Sequence, residues 1–154
     1  MKKLIGVLLI LCWGLFAFAQ QTENYVEVMR TALNAEKKAL IAEAMTFTTE
    51  EAELFWPLYT EYQNNLYTTN TKYLKIINEF AANFENMTDE VATDLMARLN
   101  SYDAEVLKLR KTYIKKFSKI LPASKVLRYF QAENKIDILV DYEISGFIPL
   151  IEVE

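Results

Sequence analysis

The sequence lacks the residues that most enzyme chemistry needs. Its 154 residues include no histidine and one cysteine, Cys12, which lies in an N-terminal apolar run that reads as a signal peptide. From Gln20 onward there is neither. That excludes the usual zinc, nickel and copper(II) sites and any disulfide within the chain. It also removes the commonest general base for nucleophilic catalysis. Glycine and proline number three each, and Gly146 is the only glycine past residue 19. One glycine cannot build a phosphate-cradling loop. So few breakers favour long, uninterrupted helices over a strand-rich fold. The carboxylates show no calcium-loop spacing. No metal, cofactor or enzymatic activity is therefore expected.

What is present begins with an address. Lys2 and Lys3 precede the apolar run Leu4 to Phe16, and Ala17-Phe18-Ala19 is a small-residue cleavage site before Gln20. Residues 1–19 are predicted to be a cleaved signal peptide, too short for a stable membrane span. The expected location is the periplasm. Residues 20–143 then form a single helical domain, and 144–154 an apolar, extended C-terminal tail. Past residue 19, 15 basic residues face 21 acids, a formal charge of −6. That balance argues against nucleic-acid binding.

Taken in order, the domain reads as all-α, with four helices dominated by a long antiparallel helical hairpin. A first helix is expected over 23–45, with Met29, Leu33, Leu40 and Ala44 on its apolar face. The second starts at Thr48, whose hydroxyl caps it while Glu51 completes a capping box. Its apolar seam runs 55, 59, 62, 66, 73, 77, 80 and 84, with Asn70 in the missing place. Pro57 should bend this helix rather than break it, because the apolar period passes through it unchanged. Asn86 to Asp89 forms the turn, and Thr88 caps a third helix with a seam at 91, 95, 99, 102, 106, 109, 113, 117 and 120. Counting outward from residue 87 sets Phe117 opposite Pro57. Leu121-Pro122 leads into a fourth helix, with Pro122 near its first turn. The face expected on it comprises Val126 or Leu127, Phe130, Ile136, Leu139 and Val140. The apolar pattern stops after Tyr142.

Two features suggest binding. From Lys108 to Arg128 there are eight basic residues and no acid. Lys108, Lys111, Lys115 and Lys119 share one stripe, which reads either as a partner-attracting surface or as charge neutralised by glutamates across the hairpin. Aromatics are the other feature. Phe55, Tyr59, Tyr62 and Phe117 are expected in the core, whereas Trp56, Tyr67, Tyr73 and Tyr129 join the four lysines and Arg128 as candidate protein-binding residues.

Phe47-Thr48-Thr49-Glu50-Glu51 at one helix start and Leu121-Pro122-Ala123-Ser124-Lys125 at another resemble the paired L-T-x-x-Q motifs of the Spy/CpxP-like periplasmic family. Phe replaces Leu and Glu51 replaces Gln in the first; Pro122 and Lys125 replace Thr and Gln in the second. Phe55-Trp56-Pro57-Leu58-Tyr59 and Arg128-Tyr129-Phe130-Gln131 look like the branch found in Bacteroidota-type bacteria, often labelled sensors of extracytoplasmic sigma factors. The resemblance implies a curved, cradle-like helical fold, with dimerisation among its properties. It implies envelope-stress work on protein partners, as an ATP-independent chaperone or as a soluble sensor for a membrane signalling partner. A structural envelope component is the alternative. The acidic balance departs from the basic concave face of Spy, and the missing histidines depart from the metal-sensing relatives.

Overall fold

A computed structural model describes residues 35–146 and 148–151. The expected signal peptide, the first helix before residue 35, and part of the expected tail lie outside the described residues. The chain divides into two units, Met1–Ala44 and Met45–Glu154. The described residues hold four α-helices and no strand. They are α1 (residues 35–45), α2 (Thr49–Asn83), α3 (Asp89–Phe117) and α4 (Ala123–Ser145). A 3₁₀ turn, Phe84–Asn86, follows α2.

In α1 the buried positions are Ile41 and Met45, while Leu40 is exposed. The face is thus rotated by one residue, about 100°, from the one expected. Helix α1 ends at Met45, and Thr46 follows in the left-handed region at φ 42. That conformation stops a helix and is uncommon for a β-branched residue.

Helix α2 starts where the sequence places it. The Thr48 hydroxyl accepts from the Glu51 N–H at 3.3 Å, and the Thr48 N–H donates to the Glu51 carboxylate at 2.9 Å. Two otherwise orphan donors are thereby satisfied. The helix then runs 35 residues and is not broken at Pro57. At 1.5 Å per residue that is about 52 Å. Its buried positions are Phe55, Tyr59, Tyr62, Leu66, Thr69 and Ile76. Thr69, rather than Asn70, fills the gap in the seam, and Ile76 rather than Ile77 continues it. The buried row 55, 62, 69 and 76, with 59 and 66 between, keeps an unbroken heptad, so the extra four-residue step that the expected seam takes from 66 to 70 does not occur. Asn70 stays exposed and accepts a hydrogen bond from the Tyr102 hydroxyl at 3.1 Å.

The Thr88 hydroxyl caps α3 by accepting from the Val91 N–H. Contacts between α2 and α3 pair high positions of one with low positions of the other. Arg98 reaches Glu79 at 2.5 Å, Lys72 reaches Glu105 at 2.6 Å, and Lys116 reaches Glu61 at 2.6 Å. Leu95, Tyr113 and Phe117 are the buried positions of α3, and Leu99, expected in the seam, is partly exposed.

Helix α4 differs most from expectation. Pro122 sits at its N-cap, one place before the first turn, and its carbonyl accepts from the N–H groups of Lys125 and Val126. The buried residues are Val126, Tyr129, Phe130 and Glu133. Leu127 and Leu139 face solvent instead, while Ile136 and Val140 are half-buried. The helix also continues to Ser145, into the stretch expected to be extended. There the Ser145 hydroxyl and the Gly146 N–H both donate to the Tyr142 carbonyl, which closes the last turn.

Candidate functional site

The second unit is organised by an aromatic knot. Phe117 is fully buried, and its ring lies 5.2 Å from Phe55, 4.9 Å from Tyr129, 5.9 Å from Phe130 and 6.4 Å from Tyr62. Helices α2, α3 and α4 each contribute rings, so this cluster fixes α4 against the other two. Edge-on and tilted contacts of this kind add to the gain from burial. Trp56 stands at the margin, half-buried, with edge contacts to Phe47, Phe55 and Tyr59.

The knot corrects one candidate. Tyr129 has no exposed surface, so it is a core residue and cannot serve as a surface anchor. Its burial, next to the Glu133 carboxylate, pushes the phenol far above its ordinary value. Tyr59 and Tyr62 shift the same way, first by burial and then by Glu133. Glu133 itself is 3% exposed and accepts from the Gln63 amide at 2.8 Å. Tyr73 is half-buried and stacks on Tyr102, with ring centres 5.1 Å apart. Burial raises the Tyr102 phenol to about 12. Tyr67 is half-buried. The aromatic candidates thus spend most of their surface on the fold.

The basic band divides in two. Lys116 pairs with Glu61, which also accepts from the Tyr113 hydroxyl at 2.8 Å; these contacts hold the Glu61 carboxyl below its ordinary range. Lys125 pairs with Glu51, joining the α4 start to the α2 cap, and lowers that carboxyl too. The Arg110 guanidinium lies over the Phe130 ring at 5.6 Å. Lys108, Lys111, Lys115 and Lys119 are exposed and form no ion pair among the described residues. Neutralisation by glutamates across the helices thus holds for Lys116 and Lys125, while Lys108, Lys111, Lys115 and Lys119 stand exposed.

Sequence reasoning missed an exposed apolar face on α4. Leu127 is 60% exposed, Ile138 57%, Leu139 67% and Tyr142 74%. At 100° per residue they cluster on the side away from Val126, Tyr129, Phe130 and Glu133. The signal that could have found them is the excess of apolar positions on α4, too many for one core-facing stripe.

No His, Cys, Asp and Glu grouping among the described residues could hold a metal, and no described helix is long and apolar enough to cross a membrane. An open depression of about 290 Å³ at Tyr142, Glu143, Ser145 and Gly146 brings together no acid–base or nucleophilic pair. No family model, curated protein or solved structure matches the chain.

Proposed function

We infer that this is a non-enzymatic periplasmic protein of the Spy/CpxP-like type, which binds other proteins during envelope stress. The signal-peptide pattern at residues 1–19 supports the location. In this reading α2 and α3 form an antiparallel hairpin that Pro57 curves into a cradle. The helix-start motifs at Phe47, Thr48 and Glu51 and at Leu121 and Pro122 shape its base. The two motifs meet through the pair Lys125–Glu51.

The observation that carries the reading is the exposed apolar cluster Ile138, Leu139 and Tyr142 on the outer face of α4, with Leu127 on the same side about 16 Å before it. Exposed apolar side chains grouped on one face mark a protein-interaction surface. A shallow row without a deep pocket suits extended, weakly held segments of unfolded clients, so ATP-independent holding is preferred over recognition of one signalling partner.

The test is aggregation of an unrelated unfolding protein, followed by light scattering, with the exported protein added at near-stoichiometric amounts. Suppression is expected. A variant carrying Leu127→Ser, Ile138→Ser, Leu139→Ser and Tyr142→Ser should lose it while keeping its helicity. Absence of suppression, together with specific capture of one envelope regulator, would make the protein a sensor subunit. Absence of both would leave a structural envelope component.

A further inference from the structure

Helix α3 carries a row of cations on the side away from its core. Lys108, Lys111, Lys115 and Lys119 follow one another at steps of three and four. At 100° per residue, Lys111 and Lys115 stand about opposite Tyr113 and Phe117, the buried residues of the same stretch. The row spans about 16 Å of helix. Leu107 and Ile114, both exposed, border it on one side. Nearby lysines show what pairing looks like in this fold. Lys116 and Lys125 each hold a glutamate from α2, whereas the four lysines of the row hold none among the described residues.

Charge is segregated along the chain. Residues 108–128 carry eight bases and no acid, and the remainder carries nine bases against 21 acids. Of those eight, Lys108, Lys111, Lys115 and Lys119 are exposed on one face of α3, and a negatively charged surface attracts that face.

We propose that this face of α3 docks on the surface of an anionic lipid bilayer. The lysines meet the phosphate layer, and Leu107 and Ile114 enter the headgroup boundary. Basic residues beside exposed apolar ones on a single helical face are the pattern of an interfacial helix. Each lysine near such a surface adds to binding, and the gain disappears within a Debye length. Two features favour lipid over an acidic protein segment. All four cations are lysine, a compact point charge, where recognition of defined carboxylates favours the bidentate guanidinium of arginine. Lysine is also depleted at protein–protein interfaces.

The proposal goes beyond protein holding by α4 and uses a different face, so each can fail alone. The exported protein, purified from the envelope of expressing cells, is sedimented with vesicles of phosphatidylcholine, with and without phosphatidylglycerol. Binding is expected only to the anionic vesicles, and it should weaken as salt is raised. The variant K108E/K111E/K115E/K119E should bind at least about 100-fold more weakly, with unchanged circular dichroism because all four side chains are exposed. The comparison of lipids uses the unaltered protein and decides the matter even if that variant does not fold. Equal binding to neutral vesicles overturns the proposal, as does equal binding by a folded variant. Salt-sensitive capture of polyglutamate without vesicle binding overturns it in favour of an acidic protein partner.

Discussion

Phe117 shows how far single residues depend on one another here. It has no exposed surface and touches rings from α2 and α4. Deleting a buried aromatic removes its transfer energy and leaves a cavity that rigid neighbours fill poorly. Phe117→Ala should cost about 3–5 kcal/mol, read as a lowered urea midpoint. A change below about 1 kcal/mol would show that the rings collapse into the gap. The sequence made Phe55, Tyr59, Tyr62 and Phe117 legible as core because all four lie on apolar seams of period three and four. It did not make Tyr129 and Glu133 legible. Tyrosine fits core and rim alike, and a glutamate counts as a solvent marker in any binary pattern. Glu133 is buried because Gln63 of α2 supplies a donor at 2.8 Å, and a partner 70 positions away leaves no local trace.

At the scale of elements, the helix starts were the most legible parts. Thr48 with Glu51, and Thr88, cap by local chemistry that needs no tertiary context. Helix α4 was the least legible, since it carries apolar residues on two faces and the sequence does not say which faces inward. Ile136, Leu139 and Val140 were equally good core candidates until Tyr129 and Phe130 met the knot. The joint between elements has a testable electrostatic consequence. Glu51 is held below its ordinary carboxyl value, first by Lys125 and then by the Thr48 backbone N–H. Its folded pKa is thus below the unfolded one, so acid protonates the unfolded chain first. The stabilisation is fully present above the ordinary value of 4.5 and is lost as pH falls through the depressed folded value. The melting temperature should therefore drop as pH is lowered from neutral through that window. Glu51→Gln should start lower at neutral pH and fall less steeply. Parallel melting curves for the two proteins would remove Glu51 from the acid sensitivity.

Across the whole second unit, burial is unevenly distributed along the chain. Phe55, Tyr59, Tyr62, Leu66, Tyr113, Phe117, Leu121, Val126, Tyr129 and Phe130 are all buried, whereas from Ile77 to Asp94 no described residue is. Tyr73 and Tyr102 mark the transition. They stack on each other, and burial raises both phenols, with the Asp141 carboxylate of α4 adding to the effect. Past these rings, the Arg98–Glu79 pair joins α2 to α3, and the apolar residues Ile77, Phe80 and Val91 are only half-buried. An exposed ion pair contributes little, about 0–1 kcal/mol, so this end should open without unfolding the aromatic knot. Native-state hydrogen exchange checks this directly. Amides of residues 55–66 and 113–130 should exchange only through global unfolding, with full denaturant dependence. Those of residues 77–98 should exchange faster, through a smaller opening that urea scarcely affects. Arg98→Ala should speed exchange at the 77–98 end alone. If both regions instead exchange at one common free energy, the unit unfolds as a single block, and the uneven burial does not translate into uneven stability.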